Sequence, residues 1–200
     1  MTPILQLVLV ISGISVWIFG KYLFENILLK KSRHSLNLFY SNIFNFKYNE
    51  YYSQLLLPIV ISILIYYLLV FIYKEPLGIS RVVRDWNIFW IIFLGGFIQP
   101  IFEEIVYRSI IFGFFLTLVD IKFKKSKFYW TGIIILFFIQ AYTFMYLHDY
   151  KLFDFPRLLG GLYFGLLYLV NKRNIFPSII AHISGNLTVI LFWYFYWIKF

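Results

Sequence analysis

Six long apolar runs, at 4–29, 55–73, 87–119, 129–147, 158–170 and 175–198, decide what this chain can become. As a helix, about 20 apolar residues span the roughly 30 Å hydrocarbon core of a bilayer. Hydrophobic residues form 62% of the 200 positions and charged ones 14%, more apolar surface than a soluble domain of this size could bury. In lipid every backbone polar group must find its partner inside the protein, so each run is predicted to be helical. The fold class expected is all-α: a polytopic transmembrane helical bundle of about six spans. The first 20 residues hold no Lys or Arg and no small-residue cleavage site, so the first run reads as a span and not a signal peptide. The third run has 33 residues, about 50 Å of helix, well beyond one straight crossing. Gly95, Gly96 and Pro100 offer a break, either in one kinked helix or between a re-entrant piece and a span.

The net charge of +9 comes from short Lys and Arg clusters between the runs, which orient helices and do not form a nucleic-acid patch. If all six runs cross, ten Lys and Arg residues fall on one side and six on the other. The positive-inside bias then puts the ten-charge side in the cytoplasm and both ends of the chain outside. With no cysteine, disulfides, thiolate nucleophiles and Cys-ligated zinc are excluded. The abundance of Ile, Phe, Tyr, Lys and Asn fits an AT-rich bacterial genome, so the location expected is a bacterial cell membrane. The stretch 37–46 reads as an aromatic surface anchor, and His34 as an ordinary loop residue. The partners expected are the lipid bilayer and a peptide or membrane-protein substrate, with no nucleic acid.

Charged residues inside the runs are the exception, each costing about 2.5–3.5 kcal/mol at mid-bilayer. Lys21 and Glu25, near a helix end, pair across one turn and can snorkel. Glu103, Glu104 and Arg108 sit near the centre of the longest run. Glu104 and Arg108 share a face as i and i+4, whereas Glu103 points about 100° away, beside Tyr107, without a local cation. A buried ion-pair network that fixes packing would account for such residues. Two of the three histidines, His148 and His182, also belong to apolar stretches. With an unpaired glutamate they form a set that activates water, either as general base with hydrogen-bonding partners or as ligands to a divalent metal. Asn186 shares a helix face with His182 and can donate to an oxyanion. Phe144 is expected to pack, and Gly160, Gly161 and Gly165 to let helices approach closely.

Three motifs stand in order: Glu103-Glu104-Ile-Val-Tyr107-Arg108, Phe144-Met-Tyr-Leu-His148 and His182-Ile-Ser-Gly-Asn186. Together they resemble the EExxxR, FxxxH and HxxxN signatures of the CPBP family of intramembrane proteases, which includes type II CAAX prenyl proteases and Abi proteins. The likeness covers residues 95–191. It implies a peptidase core at 87–200, with 1–86 as accessory spans and loops, and a polar cavity between the helices of the C-terminal half. It further implies that Glu103 and His148 activate water, that His182 and Asn186 stabilise the oxyanion, and that Glu104 and Arg108 support the site. The mechanism stays open between a metal-free glutamate and a divalent metal such as zinc on Glu103, His148 and His182.

Other intramembrane protease designs fail on this chain. Neither intramembrane histidine is followed by Glu as in HExxH, no histidine lies downstream of Ser184, and Asp120, Asp149 and Asp154 all sit at run ends. Two other functions stay open: a non-catalytic immunity or scaffold protein that keeps the polar core, and a transporter or proton relay. Six full crossings would also leave His148 and His182 at different depths, unless the short fifth run brings them together.

Overall fold

The computed structural model describes residue 11 and residues 48–73, 87–149 and 152–197. Apart from Ile11, the first apolar run with Lys21 and Glu25 lies outside the described residues, as do His34 and the stretch 37–46.

All regular structure among the described residues is helical. Four helices are long and apolar enough to cross a membrane: α1 (Tyr52–Tyr73), α2 (Ile88–Asp120), α3 (Tyr129–Asp149) and α5 (Phe176–Trp197). Between the last two lies α4 (Phe155–Val170), whose 16 residues rise about 24 Å, short of the hydrocarbon thickness. The protein is therefore an all-α membrane bundle, in which the fifth apolar run is a short helix. The outer faces carry large exposed side chains such as Leu64, Leu68 and Phe71 on α1 and Ile135, Phe138 and Ile139 on α3. Such surfaces suit lipid as solvent.

Helix starts are encoded locally. Asn87 Oδ1 accepts from Phe89 N at 2.9 Å and Asn174 Oδ1 from Phe176 N at 3.0 Å. Asp154 caps α4 through Arg157 N, with Pro156 in the first turn. Each side-chain oxygen satisfies an N–H that the first turn leaves open. The α4–α5 turn closes with Arg173 N donating to Tyr168 O and Lys172 N to Leu169 O. Lys172 and Arg173 have positive φ, 56° and 67° respectively, the left-handed geometry that usually selects glycine after a helix.

The long third run does not break at Gly95, Gly96 or Pro100. It stays helical throughout, but Ile91–Ile98 and Ile105–Phe112 are wound wider, as π-helix, on either side of Gln99–Glu104. The re-entrant alternative is thereby set aside. Widening has a consequence at Gly95: Gln99 N bonds back to Leu94 O, and Pro100, the next residue along, has no N–H to give. The Gly95 carbonyl thus lacks a partner within its own helix and takes one from α5, where Asn186 Nδ2 donates to it at 2.8 Å.

α1 and α4 dock on α5 through Ser62 Oγ to Ala181 O (2.5 Å) and Ser178 Oγ to Phe164 O (2.8 Å). Such side-chain bonds between helices replace the hydrophobic drive that lipid does not supply. Small residues set the spacing, as their sequence suggests. A Cβ on Gly161 would lie 2.9 Å from Ala141 O and 3.0 Å from Ala141 Cα, whereas one on Gly95 would meet only Ile190 Cδ1, at 3.9 Å. Backbone atoms cannot swing aside, so Gly161→Ala is expected to destabilise the fold by about 1–3 kcal/mol. Thermal unfolding in detergent should show a midpoint several degrees lower for this variant and an unchanged one for Gly95→Ala.

Candidate active site

The middle of α2 supplies a residue that the bilayer would reject alone. Arg108 is fully buried and lies 3.1 Å by Nε from Glu104 Oε2, also fully buried, one turn earlier. Its Nη2 donates to Gly161 O at 3.3 Å, and its Cζ stands 4.5 Å above the Phe144 ring and 5.5 Å from that of Phe164. Aromatic faces attract a desolvated guanidinium electrostatically. The close approach of α3 and α4 at Gly161 therefore also provides an acceptor for this cation.

The second oxygen of Glu104 reaches across to α5, with Oε1 2.9 Å from His182 Nδ1. A carboxylate paired with arginine only accepts, so Nδ1 carries the hydrogen and Nε2 is left to face the remaining glutamate. That Nε2 lies 3.6 Å from Glu103 Oε2. His182 is itself buried and stacked on Phe164, centroids 4.5 Å apart and planes 20° apart.

Glu103 Oε2 also meets His148 Nε2 at 3.2 Å, from the end of α3. On the far side of that ring, Nδ1 lies 2.6 Å from Phe144 O. A backbone carbonyl cannot donate, so Nδ1 donates there, and the Nε2–Glu103 contact then needs a single proton between its two partners. The other carboxylate oxygen of Glu103 accepts from Gln99 Nε2 at 2.7 Å. All the sequence-predicted site residues thus fall into one cluster: Glu103 meets both histidines, Glu104 and Arg108 stand behind His182, and Asn186 joins from α5. Phe144 does pack, as expected, but against the site: its ring lies 4.3 Å from that of His148 and 5.7 Å from that of His182.

The expected mismatch in depth between the two histidines is resolved by the short α4. It returns the chain before a full crossing, so α5 begins shallow enough for His182 to reach the carboxylate that His148 also contacts. Sequence reasoning missed four participants. Gln99 carries a signal that could have been read, being i−4 to Glu103. Phe164 and Tyr66 come from other helices, and nothing in their local sequence marks them; the glycine spacing marks Gly161 for close approach but not its carbonyl as an acceptor.

These residues border a cavity of about 110 Å³ between all five helices, room for several waters. Glu103, His148, His182 and Asn186 line it, with Tyr66 on one wall and Asp154 and Arg157 at its edge. Among the described residues, no group of three His, Asp or Glu side chains is arranged to hold a metal ion. Glu103 Oε2 contacts both His148 and His182 directly.

A family model described as type II CAAX prenyl endopeptidase Rce1-like matches residues 85–188, more than half of the chain. The chain belongs to that family. Every motif of the CAAX protease likeness lies inside the matched segment, as do all the clustered residues except Tyr66. Members of the Rce1-like family are proteases, and membership supports peptidase activity at the level of enzyme class. No curated protein and no solved structure matches the chain.

The buried pair gives a stability test. Removing one member leaves the other charge uncompensated, at about 3–5 kcal/mol. Arg108→Met should therefore lower the thermal midpoint strongly, while Glu104→Gln combined with Arg108→Met recovers part of the loss. Glu103→Gln, at the cavity edge of the network, should leave the midpoint near wild type.

Proposed function

We propose that the protein is an intramembrane endopeptidase that hydrolyses a peptide bond with water activated by Glu103 and His148. The observation that carries this reading is the convergence of Glu103 Oε2 on both His148 Nε2 and His182 Nε2 beside a cavity with room for water.

Gln99 holds one oxygen of Glu103 and leaves the other for proton transfer. A water in the cavity gives its proton to the Glu103–His148 pair as its oxygen bonds to the scissile carbonyl carbon. Charge then develops on the former carbonyl oxygen. His182 is suited to meet it once its Nε2, 3.6 Å from Glu103 Oε2, shares the proton taken from water, because Glu104 receives Nδ1–H as the aspartate of a serine-protease triad receives that of its histidine and steadies the resulting imidazolium. The Asn186 amide has two N–H groups, of which one bonds Gly95 O; the second serves the same oxyanion. When the C–N bond breaks, the proton held by Glu103 and His148 passes to the leaving amine. One water is consumed and the pair returns to its starting protonation. Arg108 acts through Glu104 by fixing its charge and position.

The test is comparative proteomics of membrane peptides from cells that carry wild type or a variant. Glu103→Gln and His148→Ala should each reduce cleavage by about 10²–10⁴-fold, with the protein still inserted and folded. Asn186→Ala should lower turnover by up to about 10²–10³-fold, with little change in KM. Wild-type processing by Glu103→Gln would refute the peptidase and favour a binding or scaffold role.

A further inference from the structure

Within Leu57–Tyr73 of α1, only Ser62, Tyr66, Tyr67 and Tyr73 carry polar atoms in their side chains. Tyr67 and Tyr73 are exposed, which leaves Ser62 and Tyr66 turned into the bundle, four residues apart on one face. Ser62 has a partner in Ala181 O on α5, and Tyr163 Oη of α4 donates back to Pro58 O at 3.1 Å, so α1 is held against both helices. Tyr66 lines the cavity together with Glu103, His182 and Asn186. Its hydroxyl makes no hydrogen bond among the described residues, and it is not sealed away as the hydroxyl of Tyr168 is. A polar group kept inside a membrane bundle without a protein partner is costly unless it serves a ligand or water that enters there.

The ring is held on both sides. It stacks on Phe164, centroids 6.4 Å apart and planes 13° apart, and Phe164 stacks in turn on His182. On α5, a Cβ at Gly185 would lie 2.5 Å from Tyr66 Cε2 and 2.6 Å from Cδ2; on α4, one at Gly160 would lie 2.7 Å from Tyr66 Oη. Each glycine therefore leaves space that the tyrosine occupies. Gly185 sits between His182 and Asn186 on α5. The phenol thus stands at the level of the two side chains that face the developing charge, and at neutral pH it has a hydrogen to donate.

We infer that Tyr66 is a third catalytic donor: its Oη–H bonds the carbonyl oxygen of the scissile peptide as that oxygen takes up negative charge, beside His182 and Asn186. The phenol keeps its proton throughout, and its hydrogen bond strengthens as water adds to the carbonyl carbon and weakens again when the C–N bond breaks. α1 then completes the site, although it lies outside the matched segment 85–188. This assignment rests on the peptidase reading.

The test uses the purified full chain in detergent and a quenched fluorescent peptide that spans a Glu103-dependent cleavage site. Tyr66→Phe keeps the ring and removes only a hydroxyl that bonds nothing in the described fold. Its thermal midpoint should match wild type, while kcat falls about 10–10²-fold with KM nearly unchanged, a smaller loss than for a sole donor because His182 and Asn186 remain. Gly160→Ala approaches the same group from α4. Its methyl would displace Oη, at 2.7 Å, but would meet Tyr66 Cζ only at 3.8 Å. That variant should lower kcat by itself, and adding it to Tyr66→Phe should cost little more, the non-additivity expected of two changes to one contact. Wild-type kcat in Tyr66→Phe, a rise in KM without a fall in kcat, a lowered thermal midpoint, or full additivity of the two changes overturns the inference. Failure of the peptidase reading is seen separately, as equal cleavage of the peptide by wild type and Glu103→Gln.

Discussion

A guanidinium held in the middle of an apolar helix governs the arrangement of everything around it. Arg108 cannot lose its proton and cannot face hydrocarbon, so the fold must bring it an anion, an acceptor and polarisable walls. Glu104 is the anion, Gly161 O the acceptor, and Phe144 and Phe164 the walls. Those four contacts fix how α3 and α4 stand against α2. Glu104 then has its second oxygen left to orient His182. A structural necessity and a chemical one are therefore met by a single chain of contacts, Arg108 to Glu104 to His182.

The π-wound stretches of α2 have a comparable double effect. By redirecting Gln99 N to Leu94 O next to a proline, the backbone exposes the Gly95 carbonyl to a neighbouring helix. Asn186 docks there, one turn beyond His182 on α5. The wider winding flanks the turn that carries Glu103 and Glu104, the kind of local irregularity that helices often hold at functional sites. Close packing against α5 supports it, since a Cβ on Gly96 would lie 2.7 Å from Leu187 Cδ2.

Around this polar centre three apolar clusters divide the bundle along its length. Phe112, Leu116, Ile133 and Ile175 pack near the α4–α5 turn, Phe144, Phe164 and Ala181 around the site, and Ile91, Ile190 and Trp193 near the start of α2. Carboxylates and imidazoles confined between such layers interact in a low effective dielectric, where hydrogen-bond and ion-pair geometry counts for more than it would in water.

The sequence by itself determined the solvent, the helices and the reactive groups. Apolar run length dictates helices in lipid, and the described helices that match those runs begin and end within four residues of them. Glu103, Glu104, Arg108, His148, His182 and Asn186 were legible because polar groups are costly in such runs and therefore conspicuous. Only the tertiary structure decided how they meet. Whether α2 broke at Gly95, Gly96 and Pro100 depended on Asn186, more than ninety residues away, satisfying a carbonyl. Whether the two histidines reached one carboxylate depended on the shortness of α4 and on the approach of helices at Gly161. Phe164 and Tyr66 carry no local mark of their roles, because a helix lets a residue be read only against its own neighbours at i±3 and i±4, while contacts between helices are set by packing.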